Sequence, residues 1–273
     1  MGRALDGKVA VVTGASRGNG AEIARRFAAE GARVAVAART VEAGQSRLAG
    51  TITETVREIE QAGGEAVAVA MDLSRPEDRE RLVVETEQRL GPIDILVNNA
   101  AVTYFKPATQ FDLRRYDLMF EVQVKAALQL VQLVVPGMRE RGNGWILNIS
   151  SRAALHPAIP PSQAAATGAG TVYGMCKAAI ERMSTGLAAE LHSAGIAVNA
   201  LSPRKVVPTP GTLFHGLTTE GDPRSEPTAV MAAAALALCG GTPHFLTGRI
   251  AYSSDLLTEL GLPIPPDQST IAG

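Results

Sequence analysis

Seven short runs of apolar, mostly β-branched residues recur along this chain, and longer segments of helical periodicity separate them. The runs are 8–13 (KVAVVT), 33–38 (RVAVAA), 66–70 (AVAVA), 94–97 (DILV), 145–149 (WILNI), 196–200 (IAVNA) and 248–252 (GRIAY). Helical patterns lie near 19–30, 41–62, 76–90, 112–140, 172–194 and 226–239. A strand apolar at every position is buried on both faces, as in a parallel sheet covered by helices. Alternation repeated this often requires crossover connections. It predicts an α/β, doubly wound, seven-stranded, mostly parallel sheet with helices on both faces. No proline- or serine-rich linker divides the chain, so 1–260 reads as one domain and 261–273 as a C-terminal tail. Two stretches look irregular: 155–171, rich in Pro, Ala and Gly, and 202–227, with five prolines.

Charge and cysteine content exclude several classes. The net charge is −1 with both signs interspersed, so the basic face that nucleic acid requires is not expected. The two cysteines, Cys176 and Cys239, have no metal-like spacing, and no two of the four histidines form an H-x-x-x-H pair. No metal is expected, and a reducing cytoplasm is the natural setting. The apolar run at the N-terminus is too short for a signal peptide or a span. The longest apolar stretch, 229–239, is about half a span and reads as a core helix, so no membrane partner is expected.

The first run ends at Thr13 and is followed by Gly14-x-x-x-Gly18-x-Gly20 at the start of a helical pattern. Glycines between a strand and a helix permit a tight turn, close approach of backbone to a pyrophosphate and close helix–strand packing. The helix start adds unpaired N–H groups and the positive end of the dipole. The loop Gly14, Ser16, Arg17, Gly18, Asn19 and Gly20 is therefore a dinucleotide-binding candidate. The end of the second strand decides which dinucleotide. A carboxylate there would accept the ribose hydroxyls of NAD, but this chain has Ala38-Arg39. Arg39, helped by Arg17, is a fixed planar cation suited to a 2′-phosphate. NADP(H) is thus expected to bind in preference to NAD(H). The alternative is that both arginines are solvated surface charges.

Tyr173 and Lys177 are four apart on a predicted helix and share one face. A neighbouring ammonium favours the phenolate and lowers a tyrosine pKa from about 10. Ser151 stands at the C-terminal end of the fifth run, the edge where ligands bind in doubly wound sheets. Its hydroxyl could hold a carbonyl or alcohol oxygen. Ser, Tyr and Lys beside a nicotinamide imply hydride transfer at carbon with proton transfer at oxygen. The bland alternatives are a helix-surface pair for Tyr173 and Lys177 and a turn cap for Ser151, with Ser150 one register step away.

The series TGASRGNG (13–20), Asp72-Leu73, NNAA (98–101), NISS (148–151), Tyr173-x-x-x-Lys177 and NALSP (199–203) resembles the short-chain dehydrogenase/reductase family, in family order, over about 13–210. The resemblance implies a Rossmann-like fold, with Tyr173 as acid/base, Lys177 on the nicotinamide ribose and Ser151 on the substrate oxygen. It implies that Asp72, with Leu73, touches the adenine, and that Asn98, or Asn99 and Ala100, meets the middle of the cofactor. Pro203, Val206 and Thr209 would close over it. Asp72 could instead cap the following helix, and the asparagines could be turn residues.

Departures are visible. Gln123 stands where the family often has an asparagine that relays protons through a water to the lysine. Pro203-Arg204 replaces the family's Pro-Gly. Ser151 and Tyr173 are 22 apart, against about 13 in many relatives, so the extra residues within 155–170 should form a loop over the substrate pocket. His156 in that loop is a candidate substrate contact, or a structural histidine. Cys176 beside the lysine reads as a small packing residue.

The expected activity is NADP(H)-dependent interconversion of a secondary alcohol and a ketone or aldehyde, on a largely apolar small-molecule substrate. A non-catalytic NADP(H)-binding sensor or scaffold, and a double-bond reductase or epimerase on the same fold, are the alternatives. The resemblance further implies a homodimer or homotetramer paired through 112–140 and 172–194.

Overall fold

The computed structural model describes residues 2–160 and 169–266. Part of the expected pocket loop, 161–168, and the end of the tail, 267–273, lie outside the described residues.

All seven expected strands form: β1 (Val9–Thr13), β2 (Arg33–Ala38), β3 (Glu65–Ala70), β4 (Ile95–Asn98), β5 (Gly144–Ile149), β6 (Ile196–Ser202) and β7 (Ile250–Tyr252). They make one sheet in the order β3-β2-β1-β4-β5-β6-β7, parallel throughout. The helices are α1 (Gly18–Ala29), α2 (Ile52–Gln61), α3 (Pro76–Leu90), α4 (Leu113–Phe120), α5 (Ala126–Arg141), α6 (Thr171–Leu191), α7 (Pro210–Phe214), α8 (Thr228–Cys239) and α9 (Ser253–Glu259).

The continuous apolarity of the strands has a direct structural cause. In β1, Ala10 and Val12 enter one core with Phe27 of α1 and Met231 of α8, while Val9 and Val11 enter the other with Leu82 of α3 and Leu130 of α5. Successive side chains point to opposite faces, so both sets must be apolar. Fully burying each Val or Leu is worth roughly 1.5–3 kcal/mol, which makes these strands the frame on which loops can be held.

Three expectations need correction. The helix expected over 41–62 starts only at Ile52. Gly44 and Gly50 take φ +88° and +97°, which a helix cannot use, and Gln45 Oε1 gathers the Val41 and Glu42 N–H groups at 2.7 and 3.1 Å. The helix then starts on Thr51, whose side chain accepts from Glu54 N at 3.0 Å. The helix expected over 112–140 is interrupted by a π-turn at Glu121–Lys125 between α4 and α5. The irregular 202–227 contains α7, opened by Thr209 as cap and Pro210 in the first turn. By length and composition Leu113–Arg141 could cross a membrane, but Leu130, Val131, Val134 and Met138 on it pack into the sheet core.

Candidate active site

The chain leaves β1 toward the β2–β3 edge and returns to β4, so the loops after β1 and β4 part company above the sheet. That reversal opens a crevice at the C-terminal strand ends. Two adjoining cavities occupy it, of about 1310 and about 300 Å³.

The floor is stitched by β1 and β4. Thr13 Oγ1 accepts from Asn99 N at 3.0 Å and Ala100 N at 3.2 Å, and Asn99 Nδ2 donates to Thr13 O at 2.8 Å. The glycine loop is packed on this floor. Gly14 takes φ +67°, and a Cβ on Gly20 would stand 2.4 Å from Asn99 Nδ2 and 2.5 Å from Gly14 O. Only glycine fits so close an approach. Arg17 ends the loop in extended backbone and makes no side-chain cap to α1. Arg17 Nε and Asn19 Oδ1 are buried with no partner among the described residues. A loop with glycine at its closest backbone approaches, a helix start and the unpartnered Arg17 Nε together fit the diphosphate of a dinucleotide.

Arg17 is held by the segment that sequence reading took for helix. Its Nη1 donates to Ser46 Oγ (3.2 Å), and its Nη2 to Thr40 Oγ1 (3.1 Å) and Gly50 O (2.8 Å). Burial, and then the like charge of Arg39, lower its pKa. Arg39 is exposed, with Nη1 3.9 Å from Asp72 Oδ2. Two guanidiniums facing one another repel, and an anion between them relieves that repulsion. Asp72 accepts from Ser74 N (2.9 Å) and Ser74 Oγ (2.8 Å), so it shapes the turn before α3 while also lining the smaller cavity beside Leu73.

At the other end, Ser151, Tyr173 and Lys177 line the larger cavity together with His156, Pro203, Val206 and Thr209. Ser151 follows β5 and accepts from Ala153 N at 3.2 Å. Its hydroxyl is near enough to the Tyr173 phenol to favour that group's charged form. Lys177 is buried; its Nζ donates to Ile149 O at 2.9 Å and lies 5.5 Å from the Tyr173 ring centroid. The two side chains thus share one side, as the spacing requires. The charge effect is different from that expected. Burial raises the tyrosine pKa, against the opposing effect of the Ser151 hydroxyl. Burial also draws Lys177 down to about 8. The ammonium is aimed at a backbone carbonyl, so it does not overcome desolvation of the phenol.

Two further sites differ from expectation. Asn98 does not face the cleft: its Nδ2 donates to Asn148 Oδ1 at 2.9 Å, and Asn148 donates to Ser184 Oγ at 2.9 Å. Asn99 faces the cleft instead. Gln123 lines neither cavity. It is buried on the π-turn, with Nε2 donating to Val102 O at 2.9 Å and Oε1 without a partner among the described residues. Glu121 on the same turn pairs with the fully buried Arg79, which also bonds Leu73 O. The π-turn is thereby tied to the Asp72–Leu73 corner.

Sequence reading missed several groups. Glu181, one turn beyond Lys177, accepts from Ser150 Oγ at 2.7 Å; burial raises its pKa. Phe105 stands edge-on to Tyr173 at 5.8 Å and to His215 at 5.2 Å. The i, i+4 step from Lys177 could have flagged Glu181. Phe105 and His215 meet only through the fold. Cys176 is buried and its thiol is pushed up to about 11, which agrees with a packing role.

The glycine-loop crevice at the C-terminal strand ends, with Ser151, Tyr173 and Lys177 lining it, is the architecture of a dinucleotide-binding α/β protein. The short chain dehydrogenase family model matches residues 8–212, and the chain belongs to that family. It is 37% identical to a short chain dehydrogenase of Pseudocercospora fijiensis over 74% of this chain and 60% of that protein, so it spans less than two thirds of that relative. A short chain dehydrogenase structure from Mycobacterium thermoresistibile superposes with TM-score 0.81 at 35% identity, covering 94% of this chain and 89% of that one. A metagenomic short-chain oxidoreductase in complex with NADP superposes with TM-score 0.74 at 30% identity, covering 91% and 98%.

Proposed function

We propose that this chain interconverts a secondary alcohol and a ketone or aldehyde, with NADP(H) preferred to NAD(H). The observation that carries the reading is the shared cleft: Ser151, Tyr173 and Lys177 line one end and Arg17 and Arg39 the other. A nicotinamide dinucleotide bound along it supplies or takes the hydride.

The protein's own residues do the rest. Gly14, Gly18 and Gly20 let backbone approach the diphosphate, and Arg17 and Arg39 hold a 2′-phosphate by charge-assisted hydrogen bonds worth ~1.5–3 kcal/mol, roughly a ten- to hundredfold preference. Ser151 Oγ orients the substrate oxygen. Tyr173 Oη gives that oxygen a proton in reduction and takes one in oxidation. Its raised pKa keeps it protonated at neutral pH, which favours the donor role. Lys177 binds the ribose and fixes the phenol from the neighbouring helical turn. The chain self-associates through α5 and α6.

A panel of ketones and alcohols followed by NADPH absorbance tests this directly. Tyr173→Phe is expected to lower turnover by 10³-fold or more while NADPH binding, read by fluorescence, changes little. Retained turnover removes the mechanism, and equal affinity for NADPH and NADH removes the cofactor preference.

A further inference from the structure

The described lining of the larger cavity contains six cationic side chains, Arg17, Arg39, Lys177, Arg152, Arg204 and Lys205, and no carboxylate. The segment 161–168 contains no Asp or Glu either. The whole chain carries −1, so a one-signed lining is not a reflection of overall composition. Arg17 and Arg39 belong to the phosphate end and Lys177 to the ribose. Arg152, Arg204 and Lys205 remain. They directly follow Ser151 and Pro203, at the ends of β5 and β6, and therefore sit beside the reacting end of the cleft.

The carboxylates nearest to them are not part of the cavity lining. Arg204 Nε pairs with Asp255 Oδ2 at 3.1 Å. Glu226 is buried and accepts from Arg204 N at 3.0 Å and from Ser253, and it feels the charge of Lys205. Glu181 is turned to Ser150. Arg152 Nη1 reaches only Arg204 O, at 3.4 Å, and has no carboxylate partner within 4.0 Å among the described residues. The described lining is thus cationic without a carboxylate, and low-dielectric walls focus the field of one-signed charge. The same lining carries an aromatic wall of Phe105, His215 and Phe214, the last two 5.3 Å apart. A wholly apolar substrate would satisfy this wall and leave the cations idle.

We propose that the substrate is an amphipathic anion: a carbonyl or alcohol whose apolar body lies on Phe105 and His215 and whose carboxylate or phosphate group is held by Arg152 and Lys205. This rests on the reading that the cleft carries out carbonyl–alcohol interconversion. It narrows the substrate from ketones, aldehydes and secondary alcohols in general to oxo or hydroxy acids and their phosphate counterparts, and departs from the largely apolar substrate expected from the sequence.

The test uses aryl ketones on one carbon skeleton ending in a carboxylate, a phosphate ester or a neutral methyl ester. Turnover is followed by NADPH absorbance and binding by NADPH fluorescence. An anionic member is expected to exceed the neutral ester at least tenfold in kcat/KM, and the better anion identifies the headgroup. Arg152→Gln and Lys205→Gln are each expected to bring that ratio toward one, chiefly through KM. If the neutral ester matches or beats both anions, the anion site is wrong and the redox reading stands. If no ketone is reduced but the anions bind and the ester does not, the anion site stands and the redox reading falls. If neither anion binds or reacts, the proposal fails. It fails equally if Arg152→Gln weakens NADPH binding tenfold and leaves the substrate ratio intact, because the charge then serves the dinucleotide.

Discussion

In the proposed mechanism Lys177 is charged when it holds a ribose and a phenol in place, yet it is buried. Its pKa falls from 10.5 to about 8 because desolvation penalises the ammonium more than the charges of Cys176 and Glu181 favour it. The sign follows: below about 8 the side chain is protonated, and above it the charge is lost. Tyr173 moves the other way, so it stays protonated across that range and does not cause the decline. kcat/KM for carbonyl reduction is therefore expected to be level near neutrality and to fall above about pH 8. A pH–rate profile checks this, and a level profile to about pH 10 would show that the charge on Lys177 is not limiting. This pair and Ser151 were legible in the sequence because helical spacing and a strand end fix them. The orientation of Asn98 was not. Neighbours at a strand end point to opposite sides, so register decides whether Asn98 or Asn99 meets the cleft. The fate of Gln123 was hidden too, since a π-turn reaims the side chains it carries.

Segment 40–51 shows how an element can be misread and yet matter to the site. Its apolar spacing suited a helix, and only Gly44, Gly50 and the Thr51 cap spoke for an ordered loop. By contrast α3 was legible to the residue, because Pro76 opens it and Gly91 at φ +99° ends it. The loop grips Arg17 through Ser46, Thr40 and Gly50. Gly50 takes φ +97°, and a Cβ there would meet Ser16 O at 2.4 Å. Such a conformation costs roughly 1–3 kcal/mol for a residue with a side chain, and the clash adds to it. Gly50→Ala is expected to push the loop off the glycine turn and weaken NADPH binding about tenfold. Gly63→Ala is the control: φ is +81° with nothing within 4 Å of its Cβ, so it costs stability without touching Arg17. Thermal melts and NADPH titration separate the two. Equal loss of affinity in both variants would mean that the loop does not position Arg17.

The sheet leaves the molecule with two unequal outer layers. On one side α8 is apolar on all faces and is buried between α1 and α9, with Met231, Ala234 and Leu238 in the core. On the other, α5 and α6 bury only one side, and Leu128 and Met175 stand 38% and 45% exposed. The proposed self-association through α5 and α6 would cover these open apolar positions, and a net charge of −1 does little to oppose contact between copies. A two-fold pairing would place the same patch on both partners, so one charged side chain enters the interface twice. The chain is thus expected to run at about twice 28.5 kDa in light scattering at micromolar concentration, and Leu128→Glu to shift it toward the single-chain mass. Because Leu128 lies outside the sheet core, circular dichroism of that variant should match the parent. A parent that scatters as a single chain would show that these exposed side chains meet water alone.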